Sequence, residues 1–63
     1  MELHDLINEN VVVRTLKGNV VVIEGIFDRS TDYDWNYYII GTRAELSFYE
    51  SFIKERKGNT LFI

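Results

Sequence analysis

A β-hairpin is predicted by NVVVRTLKGNVVVIEGIF, residues 10–27, and the rest of the fold is built outward from it. Two runs rich in valine and isoleucine flank the turn sequence Lys17-Gly18-Asn19. β-Branched side chains suit a pleated surface, while glycine and asparagine tolerate the positive φ of tight turns. Gly25 interrupts the second run, and a glycine inside a strand predicts a bulge or a sharp bend.

The segments on either side of the hairpin extend this pattern. MELHDLINE, residues 1–9, places Leu3, Leu6 and Ile7 at helical spacing, which predicts a short N-terminal helix that must dock its apolar stripe to persist. After the hairpin, WNYYIIG (35–41) predicts a third strand. TLFI at the end of the chain predicts a short final strand whose apolar edge can pair with another strand.

Residues 43–57 carry signals for two different structures. Thr42 and Glu45 form a capping box, and the apolar residues that follow are spaced for a helix. The run SFYESFI within this segment is instead rich in strand formers, with Phe48 and Phe52 on one face of an extended chain. Local signals leave both structures open.

Composition limits the class of protein. The 63 residues allow one domain, 1–63, and the chain contains no cysteine, so disulfides cannot compensate for a small core. Hydrophobic residues make up 46% of the chain, which favours burial of part of its surface against a second copy. No signal peptide or membrane span is predicted, so we expect a cytoplasmic protein without membrane contact.

The acidic segment DRSTDYDWNYY, residues 28–38, permits several kinds of site. Oxygen-bearing side chains alternate along it as in a calcium loop, but Tyr33 replaces the turn glycine and Ile39 the bidentate glutamate. An acidic mimic of nucleic acid is a second hypothesis, weakened by basic residues scattered along the chain. The lone His4 lies near no nucleophile motif, so we expect no enzyme activity, no metal and no cofactor.

Several motifs resemble those of the Sm-like family, the LSm- and Hfq-type small β-barrels. VRTLKG (13–18), Gly25 and DYDWN (32–36) stand in the places of its first motif, and RKGNTLFI (56–63) resembles the second. The resemblance implies a mainly β fold with a short N-terminal helix followed by a strongly bent five-stranded SH3-like or Sm-like barrel. It also implies a fourth strand around 47–57 instead of a helix.

The same resemblance implies a site for single-stranded RNA. Asp32 would organise the loop, Asn36 would read a base edge, Lys57 would supply a cation with Arg56 beside it, and Tyr33 would stack on a base. A homo-oligomeric ring of about five to seven copies would repeat this site. The implied function is an RNA scaffold or chaperone that binds U- or A-rich single strands.

A protein partner is the alternative to RNA. The net charge of −3 repeats in every subunit, and the resulting field opposes RNA unless the charges segregate by face. In addition, Asp34 occupies the position where many relatives carry a stacking side chain. The alternative function is therefore an oligomeric small-barrel protein-interaction module, or a regulatory accessory protein with a basic partner. The small size of the chain is compatible with a phage or mobile-element origin.

Overall fold

The computed structural model describes residues 1–30 and 36–63, and in these ranges the chain is mainly β. The predicted fold class is confirmed at this level, with six strands where five were expected. Two three-residue 3-10 turns accompany the strands: His4–Leu6 precedes the first strand, and Glu50–Phe52 lies between the fourth and the fifth. The strands are β1 (Asn10–Arg14), β2 (Val21–Arg29), β3 (Asn36–Ile40), β4 (Glu45–Tyr49), β5 (Glu55–Lys57) and β6 (Thr60–Phe62).

The strands form one mixed sheet in the order β4-β3-β2-β1-β6-β5. Strand β1 pairs with β6 in parallel, and the other neighbours are antiparallel. Within the described ranges β4 and β5 are the two edges, and they do not pair with each other. Closure of this open sheet into a barrel therefore stays a prediction.

The predicted β1–β2 hairpin is confirmed, and its turn uses the expected residues. Gly18 and Asn19 both have positive φ, 91° and 56°. Two hydrogen bonds between Thr15 and Val20 close the turn. The Thr15 backbone N–H donates to the Val20 carbonyl at 2.8 Å, and the Thr15 hydroxyl accepts the Val20 N–H at 3.0 Å. The turn is therefore fixed by local chemistry.

Gly25 lies where β2 changes neighbours. Strand β1 pairs with the first part of β2 as far as Ile26, and β3 pairs with Ile26–Arg29. A Cβ built on Gly25 would lie 2.1 Å from the Ile40 carbonyl oxygen and 2.7 Å from the Gly41 nitrogen. Glycine is required because backbone passes directly over this position.

The core lies on one face of the sheet and beneath the N-terminal segment. Phe27, completely buried, stacks on Tyr37 with ring centroids 5.1 Å apart and contacts Phe48 at 6.1 Å. Burial of each large apolar side chain contributes about 1.5–3 kcal/mol. The buried residues are Leu3, Leu6, Val11, Val13, Phe27, Tyr37, Ile39, Phe48, Ile53 and Leu61.

The two-turn N-terminal helix is not observed, and the 3-10 turn His4–Leu6 stands in its place. Leu3 and Leu6 still pack into the core, as their spacing predicted. Asn8 adopts a left-handed conformation with φ 69°, and its N–H donates to the Phe27 carbonyl at 2.7 Å. This link to β2 ends the helical geometry before a second turn forms.

Residues 43–57 contain no α-helix, so the helical alternative is wrong. The single fourth strand predicted around 47–57 is divided into β4 and β5, which lie at opposite edges of the sheet. One detail of the strand prediction is also wrong. The 3-10 turn Glu50–Phe52 interrupts the alternation, and therefore Phe48 and Ile53 are buried while Tyr49 and Phe52 are exposed. The sequence pattern had placed Phe48 and Phe52 on the same face.

Candidate interaction surfaces

The acidic segment is held together at its base, and Asp32 and Tyr33 lie outside the described residues. Ser30 N–H donates to the Asn36 carbonyl at 2.8 Å, which joins the end of β2 to the start of β3. The Asp28 carboxylate accepts the Arg29 N–H at 2.7 Å and the Tyr38 hydroxyl at 3.2 Å. The hydrogen bond that the Tyr38 hydroxyl donates to Asp28 raises the pKa of Tyr38 above the usual range.

Asn36 and Lys57 lie on strands that do not touch. Asn36 begins β3 and faces Tyr49 across the β3–β4 pair, whereas Lys57 ends β5. Three strands, β2, β1 and β6, separate β3 from β5 in the sheet. The described residues of one chain therefore do not bring this amide and this cation onto neighbouring strands.

Arg56 is engaged with the N-terminal segment. Its guanidinium donates to both oxygens of the Asp5 carboxylate at 2.7 and 2.6 Å and to the Glu2 carbonyl at 2.8 Å. A further bond reaches the Gly58 carbonyl at 2.8 Å. The hydrogen bond from Arg56 lowers the pKa of Asp5, and the same bond raises the pKa of Arg56. Arg56 thus fastens the first 3-10 turn to β5.

Asp5→Asn is expected to lower the melting temperature by a few degrees at neutral pH and to have no effect in strong acid. Because the folded-state pKa of Asp5 lies below its usual 3.8, its contribution is complete above that value and is lost as pH falls through the lowered pKa. Thermal melts of both proteins from neutral to strongly acidic pH measure the difference. Glu9→Gln, a change of the same kind at an exposed carboxylate, is the control. A difference that persists in strong acid would contradict this assignment.

A small basic and aromatic cluster lies on the outer face of β1, β6 and β5. Arg14 is paired with Phe62 across the parallel β1–β6 contact, and Lys57 Nζ lies 5.9 Å from the centre of the Phe62 ring. Arg14 donates to the Asn19 carbonyl at 2.9 Å. These three residues, Arg14, Lys57 and Phe62, are called the Phe62 cluster.

An apolar groove of about 570 Å³ runs beside β4, and sequence reasoning did not find it. Tyr49 and Phe52 continue the apolar surface at its end, edge to face at 5.7 Å, and both are exposed. No local sequence signal predicts this groove. Phe52, which the second 3-10 turn exposes, and Ile63 both line it, and they come together only in the folded chain. The lining residues are Thr15, Leu46, Ser47, Phe48, Ser51, Phe52, Lys54 and Ile63, and they define the β4 groove.

The outward edge of β4 exposes backbone groups beside this groove. Gly41 N–H donates to the Ala44 carbonyl at 2.8 Å, so the alternating antiparallel pattern directs the backbone groups of Leu46 and Phe48 toward β3. Those of Glu45, Ser47 and Tyr49 then point away from the sheet. Within residues 1–30 and 36–63 no backbone hydrogen bond reaches them from another element.

A second depression, of about 460 Å³, lies at the crossing of β2 and β3. Ile26 and Ile40 face each other there on the outer surface, and Asn10 donates to the Glu24 carboxylate at 2.8 Å at its rim. Asn10 and Glu24, two of its polar side chains, are therefore already partnered with each other.

Within the described ranges, no helix is long and apolar enough to cross a membrane. Comparisons of this chain with protein-family models, with curated proteins and with solved structures found no match. Its function is therefore inferred from the surfaces described above.

Proposed function

We propose that the protein is a non-enzymatic interaction module that self-associates by adding a strand to the outward edge of β4. The observation that carries the proposal is the unprotected edge of β4 lying directly beside an apolar groove. Edge strands of soluble proteins are usually shielded by proline, by lysine or by a covering loop. The chain has no proline, and β4 itself carries no lysine or arginine.

The other edge of the sheet is protected. Strand β5 has three residues, all charged: Glu55, Arg56 and Lys57. Arg56 is also occupied by Asp5. Such a short, charged edge is a poor template for pairing, whereas β4 offers five residues and adjacent apolar surface. Association is therefore assigned to β4.

An added strand would satisfy the outward backbone groups of Glu45, Ser47 and Tyr49 and cover Phe52. The large apolar content of so small a chain is consistent with this, because much of it remains exposed in a single copy. The resemblance to the Sm-like family supports a closed small-barrel ring of about five to seven copies that presents repeated surfaces to a partner. In this role the protein acts as a scaffold.

Ser47→Pro is expected to convert the oligomer to a monomer without unfolding the chain. Ser47 is exposed, and its N–H points away from β3, so proline removes an outward donor and leaves the β3–β4 bonds intact. Native mass spectrometry and sedimentation measure the mass, and far-UV circular dichroism checks the fold. Ser47→Ala, which keeps the N–H, is the matched control. A wild-type monomer at high micromolar concentration would overturn the proposal.

Binding of single-stranded RNA is the second candidate, and the Phe62 cluster favours it. Lys57 beside the Phe62 ring, with Arg14 on the neighbouring strand, would let a cation hold a phosphate next to a stacked base. Lys57 belongs to both this cluster and the site implied by the Sm-like resemblance, in which Asp32, Tyr33, Asn36 and Arg56 are the other members. Between neighbouring copies, Asn36 of one chain and Lys57 of the next could contribute to one site.

Lys57→Glu is expected to weaken binding of a fluorescent oligouridine or oligoadenine about tenfold if RNA is the ligand, and to reduce the salt dependence by about one ion. Arg43→Glu, an equal charge change in the β3–β4 turn away from the cluster, is the control. Fluorescence anisotropy at several salt concentrations gives both quantities. Wild-type protein that binds neither oligonucleotide at low salt would exclude this candidate.

A further inference from the structure

The β1–β2 hairpin presents an exposed aliphatic surface in addition to the β4 groove, which it adjoins at Thr15. Its four members are between 44% and 61% exposed and lie close together along the hairpin end. Aliphatic side chains at such density on so small a surface indicate contact with another molecule. The members are Leu16, Val20, Val21 and Val22, and they define the hairpin patch.

The backbone of this segment is also available for pairing. Strand β3 pairs with β2 only from Ile26 onward, so the β3 side of residues 21–24 has no strand partner in the described part of the chain. The register irregularity opposite Val13 and Arg14 lies in the same stretch. The hairpin therefore offers both apolar side chains and unpaired backbone groups along one side.

We infer that the hairpin patch of one copy occupies the β4 groove of another copy, with residues 21–24 pairing against the outward edge of β4. This inference rests on the proposed function and names the element that supplies the added strand. Each surface provides what the other lacks. The groove offers apolar walls and an unpaired strand edge, and the hairpin offers aliphatic side chains on an extended backbone.

Charge complementarity supports a second copy as the occupant. Lys54 is the one charged side chain among the described residues that line the groove. Residues 21–24, the segment that would pair, carry one charged side chain, Glu24, while Lys17 lies in the turn before them. An acidic aliphatic strand therefore matches this groove, whereas the charged strand β5, with two cations, does not.

The contact joins two different elements, so disabling each in a separate chain gives complementary proteins. Ser47→Pro disables the β4 edge and keeps the hairpin patch, and Val22→Lys disables the patch and keeps the edge. Each variant alone is expected to be a monomer. Their mixture is expected to form a one-to-one dimer that grows no further, because only one intact pair of surfaces is present. Native mass spectrometry of the two variants, with distinct isotope labels, resolves this species.

Matched variants separate a surface effect from a folding defect. Ile40→Lys places the same charge at an equally exposed aliphatic residue outside both surfaces and should leave the assembly intact. Val20→Lys repeats the hairpin test just before β2, in case Val22→Lys fails to fold. Lys54→Glu and Glu24→Lys should each weaken the assembly by at least tenfold in dissociation constant, and the double exchange should restore most of the loss.

The outcomes distinguish the role of the hairpin from the proposed association through the β4 edge. If Ser47→Pro is a monomer while both hairpin variants still assemble, association through β4 stands and the hairpin is the wrong partner. If Ser47→Pro and the hairpin variants all assemble like the wild type, association through β4 and the role of the hairpin are both overturned. Two monomeric variants that form a dimer on mixing would support the hairpin as the element that fills the groove.

Discussion

Gly25→Ala is expected to remove a third or more of the free energy of unfolding. The new Cβ would meet the Ile40 carbonyl oxygen at 2.1 Å, its carbon at 2.5 Å and the Gly41 nitrogen at 2.7 Å. All three are backbone atoms, so the clash can be relieved only by separating β2 from the end of β3. The expected cost is about 3 kcal/mol or more. A domain of 63 residues has a total stability of about 3–9 kcal/mol, at roughly 0.05–0.15 kcal/mol per residue.

Gly58→Ala is the control for this substitution. Gly58 has a positive φ of 58°, and a Cβ there would meet nothing within 4 Å. Only the left-handed backbone opposes alanine, which costs about 1–2 kcal/mol. Chemical denaturation followed by far-UV circular dichroism gives both free energies of unfolding. Similar values for the two variants would mean that the approach of Ile40 to Gly25 does not limit the fold.

Phe27→Ala is expected to destabilise the protein by about 3–5 kcal/mol. Phe27 has no exposed surface, and its ring packs against those of Tyr37 and Phe48, which also contact each other at 6.3 Å. Truncation removes both ring contacts and leaves a cavity at the centre of the sheet. The rings of Tyr37 on β3 and Phe48 on β4 border that cavity, so it cannot collapse without disturbing the packing of both strands.

Phe52→Ala tests the same chemical change at the surface. Phe52 is 54% exposed, so truncation should alter the free energy of unfolding of a single chain by no more than about 0.5 kcal/mol. Both variants are compared by urea denaturation at low protein concentration, where self-association contributes least. An equally large loss for Phe52→Ala would place Phe52 inside a buried interface even under these conditions.

Local sequence signals predicted much of the sheet. The hairpin turn, the runs that became β1, β2 and β3, and the importance of Gly25 followed from β-branched residues and from glycine and asparagine at positions of special backbone geometry. The N-terminal stripe of Leu3 and Leu6 was also predicted to be buried. Its helical geometry was wrong, because the N–H of Asn8 pairs with a carbonyl on β2 that the segment itself does not reveal.

The candidate sites were less accessible to sequence reasoning. Arg56 was proposed as a cation beside an RNA base, but in the structure it binds Asp5, which lies 51 positions earlier in the chain. Asn36 and Lys57 were proposed as one site, and the sheet order places three strands between them. Both facts depend on which strands become neighbours, and strand order is not encoded in local spacing.

By itself, the sequence determined the first three strands and the β1–β2 turn, because backbone preference and side-chain alternation act within a few residues. Only the tertiary structure decided the parallel pairing of β1 with β6, the outward edge of β4 and the exposure of Phe52. Those features arise when residues distant in the chain compete for the same core. The balance of burial among all strands selects the outcome, and no single segment carries that information.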